Sequence, residues 1–117
     1  MGFLQYIDRN ELDMIRNLSA DSQSAQLLSA LRERVRRNTA EAKLVQSADT
    51  QEWFHLIWER FADAAFIYAL DRDARLGQWL HDRTLEVCRL SLDEWVGPWF
   101  RKRANPPVGM LETAHLT

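Results

Sequence analysis

The sequence is poor in residues that break helices and in residues that cross-link chains. Its first proline is Pro98, and only four glycines occur among 117 residues. Cys88 is the single cysteine, which excludes an internal disulfide. Long tracts without proline, rich in Leu, Ala, Arg, Glu and Gln, predict an all-α chain. Because Cys88 falls on an apolar helix face, we predict a buried, unreactive thiol.

Neither the net charge nor the hydrophobicity of the chain is extreme. The net charge of −2 gives no basis for nucleic-acid binding. No apolar run approaches the roughly 20 residues that span a bilayer, and the N-terminus lacks the basic and apolar order of a signal peptide. The length fits one domain. We therefore predict a single helical domain over residues 1–117, with no nucleic acid, membrane or cofactor bound.

Hydrophobic periodicity divides the chain into four helices and the start of a fifth. The predicted helices cover about residues 3–18, 23–45, 49–70 and 73–92, and the fifth starts near residue 110. Asp21 or Ser22 can cap the second helix. The third is apolar in almost every direction and is predicted to be central. Since its link to the fourth is so short, these two should form an antiparallel hairpin.

The chain stops while a helical pattern is beginning. Leu111, Ala114 and His115 follow the i, i+3, i+4 spacing of one helix face, and no Gly, Asn or Pro comes after them. We therefore expect the chain to be the front of a longer helical protein, in contact with a C-terminal region that is missing here.

An aromatic and basic stretch from Trp95 to Arg103 is the main candidate for ligand binding. Tryptophan rings such as Trp95 and Trp99 can stack on sugars, and Arg101 and Arg103 can pair with carboxylate or sulfate groups. An acidic polysaccharide would use both kinds of contact. The alternative is that Trp95, Trp99 and Phe100 fill the end of the helical core while the basic residues face solvent.

A metal site is a weaker possibility. Glu-x-x-His occurs twice, at residues 52–55 and 112–115, and Glu11 and Glu86 could complete the ligand set of a di-metal helical bundle. The first pair lies on the polar stripe of its helix and the second follows a Pro-Pro-Val-Gly loop. We therefore predict no metal site and keep the di-metal bundle as an alternative.

Two charged groups are predicted to lie in solvent rather than to form sites. The second helix carries several on one side: Arg32, Glu33, Arg34, Arg36 and Arg37. His81 stands beside Asp82 and Arg83 on the polar side of the fourth helix. No Ser/His/Asp arrangement, Gly-rich phosphate loop or zinc spacing accompanies them.

Three segments, taken in order, carry a family resemblance. Residues 14–31 form a helical lead-in, and residues 61–73 form an Ala- and aromatic-rich helix that ends in a short acidic turn. Trp95 to Trp99, followed by Gly-Met-Leu-Glu-Thr-Ala at 109–114, comes third. Together they resemble the N-terminal helical region of heparinase II/III-like polysaccharide lyases.

That resemblance implies a partial α/α toroid, built from antiparallel helix hairpins around a cleft. It implies β-elimination of uronic-acid-containing polysaccharide by the complete protein, in a secreted or periplasmic location. The family uses Tyr and His as base and acid, with Asn, His or Arg neutralising the uronate. No segment here matches that set, so the catalytic residues are unknown and the isolated chain is expected to be inactive. Glu112 and His115 begin a helix that would approach the cleft and are substrate-binding candidates.

A non-enzymatic helical protein-interaction module is the alternative function. The third helix is apolar on most sides, so it needs more cover than the other helices supply. Self-association or a partner chain could provide that cover.

Overall fold

The fold consists of four α-helices in the part of the chain that the structure describes. The computed structural model describes residues 7–41 and 52–91, with side chains from Leu56 onward in the second range. The helices are α1 (Arg9–Arg16), α2 (Gln23–Asn38), α3 (Glu52–Asp71) and α4 (Ala74–Cys88). No strand occurs in these ranges. The predicted all-α class is confirmed for them, and the predicted fifth helix lies outside them.

Helix α1 is shorter than predicted because a capping box fixes its start. The Asp8 carboxylate accepts a hydrogen bond from the Glu11 amide at 2.9 Å, and the Glu11 carboxylate accepts one from the Asp8 amide at 2.7 Å. Asp8 is itself extended, so Ile7 and Asp8 lie before the helix. The predicted extent of 3–18 was therefore wrong at both ends, since Asn17 is already the C-cap.

Helix α2 begins as predicted and ends early. Ser22, one of the two predicted caps, accepts a hydrogen bond from the Ala25 amide through its hydroxyl at 3.1 Å. Thr39 is the C-cap, and its buried hydroxyl donates to the Val35 carbonyl at 2.8 Å. Residues 39–41 are not helical, so the predicted end at residue 45 was wrong.

Two residues link α3 to α4. Arg72 adopts φ 52°, and its guanidinium lies 5.4 Å from the centre of the Tyr68 ring. Asp73 then caps α4, accepting from the Leu76 amide at 3.0 Å. Helix α4 ends at Cys88 rather than near residue 92. Cys88 is exposed, so its predicted burial was wrong: the last turn of α4 turns that position outward.

The core forms around α3, which packs against each of the other three helices. Its buried cluster draws on all four helices: Leu12, Leu28, Val35, Ala64, Ile67, Leu70, Leu76 and Trp79. Trp79 also donates from Nε1 to the Glu41 carbonyl at 3.1 Å, which ties α4 to the segment after α2. Helix α3 is thus central, as its all-round apolar sequence predicted. None of the helices in the described ranges is long and apolar enough to cross a membrane.

Candidate functional site

A cleft lies where α2 and α3 end and α4 begins. Its volume is about 480 Å³. The lining side chains combine an apolar floor with charged walls: Arg32, Val35, Arg36, Thr39, Ala40, Ile67, Asp71, Asp73, Arg75 and Leu76. A cleft of this size and mixed polarity could hold a small polar ligand. What it can do chemically depends on which of its charges are free.

A two-pronged ion pair in the cleft joins α2 to the last residue of α3. Arg32 donates from Nε and from a terminal nitrogen to the two oxygens of Asp71, at 2.8 and 2.7 Å. The hydrogen bond to Asp71 raises the pKa of Arg32 above its usual value. Parallel bonds of this kind fix direction as well as distance. Arg32 and Asp71 therefore hold the helices together instead of awaiting a ligand.

The other charges of the cleft are mostly engaged too. Arg36 makes a two-pronged pair with Glu33 at 3.0 and 2.6 Å, which lowers the pKa of Glu33 and raises that of Arg36. Asp73 is occupied in capping α4. Arg75 is exposed and forms no salt bridge within the described ranges. One free cation beside satisfied pairs does not make a catalytic centre.

The arginine-rich side of α2 is more than the solvated face that the sequence predicted. Arg34 reaches Asp63 on α3 at 2.7 Å, and Arg32 reaches Asp71. The basic side of α2 thus meets two acidic residues that lie about two turns apart along α3. Both side chains remain partly in solvent, as predicted, with 41% of Arg32 and 56% of Arg34 exposed. The sequence did not predict their pairing, which is possible because each side chain is long enough to reach the neighbouring helix.

A second arginine contact fastens α1 to α3, and sequence reasoning missed it. Arg16 donates to the Leu70 carbonyl at 2.9 Å and to the Ala69 carbonyl at 2.7 Å. These carbonyls belong to the last turn of α3, which has no basic residue of its own. Helix C-termini carry partial negative charge and unpaired carbonyls, so a cation there is favourable. The absence of a basic residue from the last turn of α3 was the sequence signal that could have indicated this contact.

The carboxylates and arginines with resolved pKa shifts in the described ranges are not tuned for acid–base catalysis. His81 lies 3.2 Å from Asp82 on the surface of α4, as predicted, and its contact lowers the pKa of Asp82. Every shift resolved in the described ranges concerns a carboxylate or an arginine and favours its charged form, whereas these residue types act as general acids or bases near neutral pH only when the pKa moves the other way.

The groups proposed for a di-metal bundle serve other purposes where they are described. Glu11 closes the capping box of α1, and Glu86 lies 3.0 Å from Arg83 on α4. No three His, Cys, Asp or Glu side chains gather at a metal-sized distance within the described ranges. The side chains of residues 52–55 and the second Glu-x-x-His pair lie outside those ranges.

A shallow groove of about 360 Å³ lies along α1. Its walls are almost entirely apolar: Ile7, Glu11, Met14, Ile15 and Leu18. Met14, in the middle of the groove, is 71% exposed. A groove of this composition suits another apolar surface better than a polar ligand.

The predicted sugar-binding residues lie outside the described ranges: Trp95, Trp99, Arg101, Arg103, Glu112 and His115. Their proposed role therefore stays a prediction. Comparisons with protein-family models, with curated proteins and with solved structures find no match to this chain. The family resemblance thus depends on the quoted segments alone.

Proposed function

We propose that this chain is the N-terminal helical part of a heparinase II/III-like polysaccharide lyase, and that it contributes scaffold rather than catalytic groups. The observation that carries the proposal concerns residues 61–73, where the resemblance is most detailed. There an Ala- and aromatic-rich helix ends at Asp71, and α4 starts after only Arg72 and Asp73. This is the local plan of one helix hairpin in an α/α toroid.

The contacts between α3 and α4 support an antiparallel hairpin. A Cβ placed on Gly77 would lie 2.8 Å from the Tyr68 ring, and the Trp79 ring lies 5.6 Å from that of Phe61. Residues farther along α4 therefore contact residues nearer the start of α3, which is the order expected of an antiparallel pair. Toroids of this class are built by repeating such hairpins, so the proposal assigns α3 and α4 to one of them.

The scaffold role follows from what β-elimination requires. A base must approach the proton at C5 of the uronate while another group neutralises the carboxylate. Tyr68 is the one tyrosine in the described ranges, and it is half-buried between Gly77 and the Arg72 guanidinium. A phenol held in that packing is a poor base for a polymer in an open cleft. Catalysis is therefore assigned to other parts of the lyase.

The decisive experiment compares the 117-residue chain with the product of the complete reading frame that contains it. The 117-residue chain and the complete frame are expressed separately and incubated with alginate, heparin and other uronate polymers. Ultraviolet absorbance reports the unsaturated products. The proposal expects product from the complete frame and none from the segment. A frame that ends at Thr117, or a complete frame inactive on every uronate polymer, contradicts it.

A helical interaction module is the second candidate, and the groove on α1 favours it. Met14 and Leu18 are 71% and 38% exposed beside Ile7 and Ile15. Light scattering over a concentration series distinguishes the candidates, with Met14→Glu as the variant and Arg9→Glu as a control on the same helix. An interaction module self-associates through Met14, and only Met14→Glu returns it to a monomer. A monomer at all concentrations removes self-association.

A further inference from the structure

Helix α1 is attached to the rest of the fold at few points. Six of its eight residues are exposed, and Leu12 is its one buried side chain. Ile15 is half-buried and packs against the core, as does Ile7, which precedes the helix. Arg16 adds its two bonds to carbonyls in the last turn of α3. One buried leucine, two isoleucines and one guanidinium therefore anchor α1 in the described ranges.

The core takes most of its side chains from the other three helices. Apart from Leu12, its buried cluster belongs to α2, α3 and α4: Leu28, Val35, Ala64, Ile67, Leu70, Leu76 and Trp79. The ion pairs of Arg32 and Arg34 join α2 to α3 without any residue of α1. The cleft of about 480 Å³ likewise takes no lining residue from α1. Helices α2, α3 and α4 therefore keep these contacts when α1 moves away.

The link between α1 and α2 can act as a hinge. Residues 17–21 are all exposed. The amides of Asn17 and Leu18 donate to carbonyls of α1, and the Ser22 hydroxyl donates to the Ser19 carbonyl at 2.7 Å. Hydrogen bonds from this link to α3 or α4 are absent from the described ranges. Rotation about the link therefore breaks local bonds alone.

We propose that α1 is a strap that opens as a unit from a folded core of α2, α3 and α4, with the Arg16 guanidinium as its latch. Regions with few buried contacts and an exposed backbone open at a lower free energy than the core. Isolated helices shorter than about 12–15 residues are marginal in water, so α1 loses its helical hydrogen bonds once its anchors release. Opening frees the last carbonyls of α3 and exposes Leu12, while the cleft stays formed. The inference is independent of the lyase proposal.

Amide hydrogen exchange of the full chain tests the proposal. The Leu12 amide donates to the Asp8 carbonyl at 3.1 Å, and exchange requires that this bond open. After correction for intrinsic rates, it should exchange at least about tenfold faster than the amides of Ile67 and Leu70 in α3. Equal protection of Leu12 and Ile67 overturns the proposal. Fast exchange confined to Asn17, at the end of α1, is fraying and overturns it as well.

Low concentrations of urea provide a second measurement on the unchanged sequence. The effect of urea on an opening reaction scales with the surface that the reaction exposes. Opening of α1 exposes little surface, so exchange at Leu12 should accelerate only slightly as urea is added. Exchange at Ile67 requires loss of the core and should accelerate steeply. Equal urea dependence at the two amides overturns the proposal.

Two substitutions perturb the strap and the core separately. Gly77→Ala crowds the contact between α3 and α4, which is present whether α1 is open or closed. It should accelerate exchange at Ile67 about fivefold and leave Leu12 unchanged within about twofold. Arg16→Met should accelerate Leu12 about tenfold, and the control Arg9→Met less than about twofold. Equal acceleration of both amides by Gly77→Ala, or equal effects of the two α1 variants, overturns the proposal.

Discussion

Replacing Arg16 by methionine is expected to loosen α1 from the end of α3. The guanidinium donates to two carbonyls of α3, Leu70 at 2.9 Å and Ala69 at 2.7 Å, and also pairs with Asp13 at 2.7 Å. Methionine retains most of the apolar stem, so the substitution removes the donors and the charge while packing changes little. The change therefore isolates the polar contact between the two helices.

The expected loss follows from the number and exposure of these bonds. A hydrogen bond from a charged donor contributes about 1.5–3 kcal/mol when it is well buried. The Arg16 side chain is 37% exposed, so water can replace part of each lost bond. The surface pair with Asp13 adds at most about 1 kcal/mol. We expect Arg16→Met to lower the free energy of unfolding by about 1–2 kcal/mol in total.

Urea unfolding followed by far-ultraviolet circular dichroism measures this change. Arg9→Met is the matched control, because Arg9 is an exposed residue of the same helix without a salt bridge in the described ranges. It should change stability by less than about 0.5 kcal/mol. The loss of stability in Arg16→Lys should lie between those of Arg9→Met and Arg16→Met, since one ammonium group cannot reproduce the forked geometry of the guanidinium. If Arg16→Met and Arg9→Met have the same effect, the contact with α3 contributes nothing and the reasoning fails.

Three further changes test the link and the core by the same measurement. Asp73→Ala removes the cap of α4 and should cost about 1 kcal/mol, whereas Asp73→Asn should retain most of it; equal losses would contradict the cap. Gly77→Ala should destabilise by about 1 kcal/mol despite its better helix propensity, because the new Cβ meets the Tyr68 ring at 2.8 Å. In a Tyr68→Ala background the same change should stabilise, and a gain without that background refutes the clash. Ala64→Leu adds volume at a position with 0% exposure and should cost about 1–3 kcal/mol, while the exposed Ala65→Leu should cost far less.

The helices were predictable because local signals determine them. The absence of proline before residue 98 indicates helical structure, and the capping residue Ser22 indicates where α2 begins. Neither signal requires knowledge of the tertiary structure. The last residue of α2 was not predictable, because the hydrophobic pattern continues past Thr39. Nothing in the sequence shows that the Thr39 hydroxyl, rather than another polar side chain, makes the contact at the end of the helix. Cys88 shows the same limit. Hydrophobic periodicity places it on the apolar face of its helix, but only the packing of the other helices decides whether that position is buried, and Cys88 is exposed.

The polar contacts were harder to predict than the helices. Arg16, Arg32 and Arg34 each read as surface residues of an amphipathic helix, and only the packing of α3 brings acceptors within reach. The candidate sugar site was a prediction about residues 95–115, which lie outside the described ranges.

The arginine contacts also explain how α3 is oriented about its own axis. Helix α3 is apolar in almost every direction, and hydrophobic burial alone does not prescribe its rotation about its own axis. Arg32 and Arg34 pair with acids on one side of α3, and Arg16 binds carbonyls in its last turn. Directional bonds from two helices fix the rotation that burial leaves open. With that rotation fixed, Asp63 and Asp71 must face α2, so the side of α3 that meets α2 follows from the charge pairs and not from a chance register of an apolar helix.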